Sequence, residues 1–210
     1  FFPDRHLTQK YFELSYNFSY TGADVWAYPL RGFNVMAGMD RLGFGLIGKV
    51  NETDFNADVS KYWTFFPKTY GESEFIGRIH FPRYQPYFLL REMGYYNNYL
   101  RGMEYFVEES DYFGILRNTL KREVLAFRAH TRLLPDQFAT IPVHVYLKAY
   151  SDLGYSFSHH PGTSQLNDKL LYTYGFGMDI VTFYDALLRV EYSFNQLGQK
   201  GLFLHFKSTF

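Results

Sequence analysis

Residues 11–20, YFELSYNFSY, alternate apolar and polar side chains. Phe12, Leu14, Tyr16, Phe18 and Tyr20 fall on one face of an extended chain, with Glu13, Ser15, Asn17 and Ser19 on the other, because successive strand side chains point to opposite sides. ALLRVEYSFN repeats the pattern: Leu188, Val190, Tyr192 and Phe194 oppose Arg189, Glu191, Ser193 and Asn195. VHVYLKAYSD sets Val143, Val145, Leu147 and Ala149 against His144, Tyr146, Lys148 and, further on, Asp152. Weaker alternation runs through GFNVMAGMDR, FNADVSKYWTFF, EFIGRIHF, NTLKREVLAF, LLYTYGFGMDIV and the closing GLFLHFKSTF. The chain is expected to be all-β, with about nine strands.

A soluble β-sandwich alternates as well, but strands of about ten residues are long for one and suit an antiparallel transmembrane β-barrel. Composition adds weight to the barrel. With 20 Tyr, 23 Phe and 2 Trp, aromatics make up 21% of the chain while mean hydropathy stays at −0.26, as suits rings lying between apolar and wet layers. Lys61, Lys121 and Arg122 interrupt the alternation, and bulges are the expected cause. No apolar run reaches the roughly 18 residues of a membrane-spanning helix, and the first residues lack a signal-peptide layout. The 21 basic and 21 acidic residues cancel and are scattered, so no nucleic-acid footprint is present. Cysteine is absent, which removes disulfides and thiolate metal sites.

The connections differ in length. NQLGQKG and TFYDA are short, SHHPGTSQLNDK and HTRLLPDQFATIP longer, and the longest runs from Pro82 to about Arg117. With the last strand ending in the periplasm, that longest loop is extracellular in connectivity.

Within it, LRGMEYF (Leu100, Arg101, Gly102, Met103 onward) resembles the Val/Leu-Arg-Gly-Tyr/Phe motif of the BamA/TamA superfamily of outer-membrane assembly and translocation barrels. Downstream, AYSDLG matches that superfamily's aromatic-x-Asp-x-Gly element at Tyr150, Asp152 and Gly154. VWAYPLRG is similar to its Tyr-Pro-x-x-Gly turn, and SKYWTFFPKT, YGFGMDI, LLRVEYSF and LFLHFKSTF extend the likeness in order along the chain. The resemblance implies a long loop folded back into the barrel lumen and a bacterial outer-membrane location. It also implies conformational work on client outer-membrane proteins without an enzymatic reaction or cofactor. Accessory assembly subunits are the other partners it implies, besides the lipid bilayer.

An arginine in a confined lumen calls for a bidentate carboxylate, which makes Asp152 the expected partner of Arg101, with Gly102 allowing the tight backbone approach. The superfamily places a further glutamate on the strand after the loop. Glu123 is the candidate here, with Thr119 and Lys121 as rival occupants of that position. An ordinary solvated loop arginine is the simpler alternative. Leu202, Leu204 and Phe206 share parity with Phe210, resembling the C-terminal signal that assembly machinery reads; an interfacial aromatic anchor gives the same pattern.

Catalytic and metal chemistry finds little footing. His159 and His160 lack a third ligand at useful spacing, and Glu108, Glu109 and Asp111 read as a solvated run. Members of the superfamily close about sixteen strands, so residues 1–210 are expected to be the C-terminal portion of a barrel, paired with a missing half or another chain. Two readings compete with the assembly barrel: a passive porin or structural barrel, and a membrane anchor for a longer protein carrying an enzyme domain such as a lipase.

Overall fold

The computed structural model describes residues 10–44, 50–81, 93–108, 110–130, 140–159, 166–182 and 186–207. They form nine antiparallel strands: β1 (Glu13–Thr21), β2 (Gly32–Leu42), β3 (Glu52–Phe66), β4 (Thr69–Phe81), β5 (Tyr112–His130), β6 (Thr140–Phe157), β7 (Lys169–Thr182), β8 (Leu187–Asn195) and β9 (Lys200–Lys207). Each pairs with its neighbours in chain order, giving one nine-stranded sheet. β1 and β9 are its two edges, and all nine residues of β1 are exposed. No helix among the described residues is long and apolar enough to cross a membrane, which bears only on helices.

The two faces of this sheet are inverted relative to a soluble protein. One face buries charge: Lys121, Lys148, Asp152, Asp179 and Glu191 are all buried. The other presents Leu147, Leu170, Phe176, Leu202 and Leu204 to the surroundings. The alternation in the sequence therefore sorts residues as expected, with the polar parity inward. Val145, Val190 and Tyr192 share the outward parity and are half-buried.

Bulges are not the cause of the three interruptions: Lys61 opposite Phe33, Lys121 opposite Lys148 and Arg122 opposite Leu147 all lie in regular register. Lys121 belongs to the inner parity and is buried, whereas Lys61 and Arg122 point outward. The register of β5 on β6 shifts between Glu123 and Leu125, and that of β3 on β4 between Thr64 and Phe66. An extra residue at such a bulge resets the parity, so Leu125 and Phe127 return to the outer face opposite Val145 and Val143.

The long loop is shorter than expected, because Tyr112–Arg117 belong to β5. Phe113 and Ile115 are buried there beside Leu100 and Met103, and this packing extends the strand. Likewise the expected connection 130–142 starts and ends as strand, at His130 and Thr140. The sheet curls strongly. Tyr28, in the turn between β1 and β2, lies 4.9 Å from the ring of Tyr146 on β6 and donates a 3.0 Å hydrogen bond to Asp179 on β7. Only a curled sheet lets a turn at one edge reach strands so far along the order.

Candidate functional site: an arginine-anchored loop on the inner face

Residues 93–108 lie on the inner face, between β4 and β5 in the chain. The segment is held first by apolar contacts: Met93, Leu100 and Met103 form a core with Ile76, Phe113, Ile115 and Leu171. Leu100 seats against Gly154, where an added Cβ would stand 2.6 Å from a Leu100 methyl. Any side chain at 154 would have to push Leu100 aside, so glycine suits the Asp152-x-Gly154 spacing. Gly102 has φ +86° and would, with a side chain, drive into Ser193. It turns the loop at its closest approach to β8, a conformation glycine adopts without strain.

Between these contacts Arg101 enters the wall. Its Nε donates to Asp152 Oδ2 at 2.9 Å, Nη2 donates to Oδ1, and its backbone N–H donates to Oδ2 at 3.0 Å. One carboxylate thus fixes both the side chain and the main chain of the loop tip. The guanidinium carbon lies 4.1 Å from the centre of the Tyr150 ring, and the Tyr150 hydroxyl bonds Ser193 at 2.5 Å. Burial opposes the charge on Arg101, but the Asp152 hydrogen bonds and charge outweigh it and raise the pKa above its ordinary value. The sequence-derived residues Leu100, Arg101, Gly102, Met103, Tyr150, Asp152 and Gly154 thus meet at one place.

Glu123 does not join them. Its carboxylate takes Lys68 at 3.0 Å and His144 at 3.1 Å, and it pairs with Tyr146 in the β5–β6 register whereas Asp152 faces Arg117. At the strand rise that separation is about 20 Å. Of its rivals, Thr119 Oγ1 accepts from Arg101 Nη1 at 2.9 Å, while Lys121 pairs with Glu72 at 3.0 Å. The further carboxylate near Arg101 is Glu191 on β8, at 3.9 Å. Arg117, from β5, adds a second clamp: it donates to the carbonyls of Asn97 and Tyr99 and pairs with Glu74.

Glu191 opens a wider network. Lys148 lies 2.7 Å from both Glu191 and Asp179, and Arg189 is 3.2 Å from Asp179. Arg101, Lys148 and Arg189 thereby meet Asp152, Glu191 and Asp179, three cations on three carboxylates, as buried charge requires. Tyr28 completes the far end through its bond to Asp179. Burial, reinforced by the Asp179 carboxylate, holds the Tyr28 hydroxyl well above its ordinary pKa, so it stays a donor. Lys121 stacks 4.2 Å over the Tyr28 ring and donates to the Pro29 carbonyl. Two segments therefore fold onto the inner face, the loop 93–108 and the turn after β1, joined by the charges between them.

The remaining sequence candidates lie elsewhere. Leu202, Leu204 and Phe206 line the outer face of β9 and are exposed, while Phe210 lies outside the described residues. Glu108 and Asp111 are buried rather than solvated. Asp111 accepts from the backbone and ring nitrogens of His159 at 2.8 and 2.6 Å; Glu109 and His160 lie outside the described residues. Compared with known proteins, no family model and no curated protein matches the chain. The likeness to the BamA/TamA superfamily rests on the residues themselves.

Proposed function

We propose that this chain is part of an outer-membrane barrel of the BamA/TamA type, one that inserts or translocates client polypeptides by strand-edge pairing and lateral opening. The observation that carries the reading is the in-folded loop locked by Arg101 on Asp152, at the two places where the sequence resembles that superfamily. Two further features support it. The inverted faces suit lipid outside and a polar interior, and the exposed β1 offers an edge for pairing. Backbone groups at such an edge need partners in lipid, so further strands of the same polypeptide, or of another copy, complete the wall. The work is conformational, needing neither cofactor nor covalent chemistry.

The test is reconstitution of the full-length polypeptide into vesicles with a urea-denatured outer-membrane barrel as client. Acceleration of client folding, with client cross-links to cysteines on β1 or β9, is the expected result. A steady ion conductance with no acceleration would instead identify a passive barrel, a role poorly suited to an inner face occupied by two packed segments.

A further inference from the structure

Three potential metal ligands from three separate elements converge beside the anchored loop: Glu104 on the loop, Glu191 on β8 and His205 on β9. Their ligand atoms all lie within 4.8 Å of one another. His205 Nε2 is 3.1 Å from Glu104 Oε1 and 3.5 Å from Glu191 Oε2. A tetrahedral zinc ion with bonds of about 2.0–2.1 Å sets its ligands roughly 3.3 Å apart, so these two spacings are those of ligands around a common centre.

A histidine–carboxylate ion pair is the competing account of the same contacts. Against it, a pair needs only one carboxylate, whereas Glu104 Oε1 and Glu191 Oε2, from separate elements, both converge on His205 Nε2. Glu191 is also arranged for the task. Its Oε1 is held by Lys148 at 2.7 Å, which leaves Oε2 directed at His205 and supplies the outer support that orients a ligand carboxylate. One imidazole with two carboxylates suits zinc better than magnesium or calcium, which prefer all-oxygen sites.

We infer that Glu104, Glu191 and His205 form a zinc site that ties the edge strand β9 to the in-folded loop. An occupied site would staple to the loop an edge strand that, among the described residues, pairs within the sheet with β8 alone, whatever the barrel carries.

The experiment uses the full-length protein in detergent, stripped of metal, with Zn2+ measured by calorimetry and Co2+ as the spectroscopic probe. One equivalent of Zn2+ should bind, and Co2+ should give the visible bands of a four-coordinate site. His205→Asn and Glu104→Gln should each lower Zn2+ affinity by more than the roughly 10–100-fold that losing an outer-shell partner costs. Hydrogen exchange needs no variant: Zn2+ should slow the amides of 200–207 in the unaltered protein, and Mg2+ should not. Absence of Zn2+ binding at millimolar concentration would leave an ion pair only and overturn the inference. So would stoichiometric binding unaffected by both substitutions, which would place the metal elsewhere, for example at Asp111 and His159.

Discussion

Arg101 and Asp152 make a pair whose members depend on each other more than the fold depends on both. Each is buried, and removing one leaves the other charged in a desolvated place, at about 3–5 kcal/mol. Arg101→Ala and Asp152→Ala should therefore each destabilise strongly, while the double variant costs less than the sum, with a coupling of about 1–3 kcal/mol. Urea unfolding in detergent micelles measures all three. Arg101→Lys should rescue poorly, since one ammonium cannot serve both Asp152 oxygens and Thr119 as the planar fork does. Strictly additive effects would mean that the contact does not organise the loop. Gly154 offers an independent check on the same docking. Gly154→Ala pushes a methyl into Leu100 and should cost about 1–3 kcal/mol as overpacking does. Leu100→Ala alone should cost about 2–5 kcal/mol as a core truncation, and the double variant should cost less than the sum of the two, because the clash is with the leucine itself.

Among the elements, the strands were legible in the sequence and the paths of the connections were not. Period-two alternation marks β1, β6 and β8 because each has one apolar and one polar face, and it blurs where β3 and β5 carry bulges. Arg101 and Asp152 could be matched through the resemblance and the demand of a buried cation for a carboxylate. Glu191 and Lys148 were visible only as polar-face residues; their meeting depends on the alignment of β6, β7 and β8. Tyr28 stands in a Tyr-Pro turn, but no local signal says that this turn crosses the interior to β7. That crossing can be tested. Tyr28→Phe removes the bond to Asp179 while keeping the ring beside Tyr146 and Lys121, and should cost about 1–3 kcal/mol by leaving an acceptor short. Hydrogen exchange should quicken in 24–31. If the charge network couples the segments, exchange in 97–105 should quicken as well; a response confined to the turn would show that they move separately.

For the whole molecule, the decisive feature is what surrounds the apolar face. Three of its outward cations lie at two levels of the sheet. Arg41 lies at one end of β2, while Lys61, opposite Phe33, and Arg122, opposite Thr69, lie at the other. Along β2 the stretch from Phe33 to Arg41 is about 26 Å at the strand rise, or about 20 Å of height at the ~40° tilt of barrel strands, most of the ~25 Å apolar band of a membrane barrel. Long cationic side chains at the margins can carry their charge to the headgroups. Phe176 lies between them, exposed, and flanked by Ala149 and Tyr192 across the ladders. Phe176→Arg therefore separates a lipid-facing wall from a water-facing one. In a bilayer a cation near the midplane should cost about 2–4 kcal/mol, measured by urea titration of the full-length protein folded into lipid vesicles. On a surface facing water the same substitution should fall within about 0.5 kcal/mol of neutral. A neutral result would remove the membrane from the account and leave a curled sheet in water, with its charges buried and its aromatics outside.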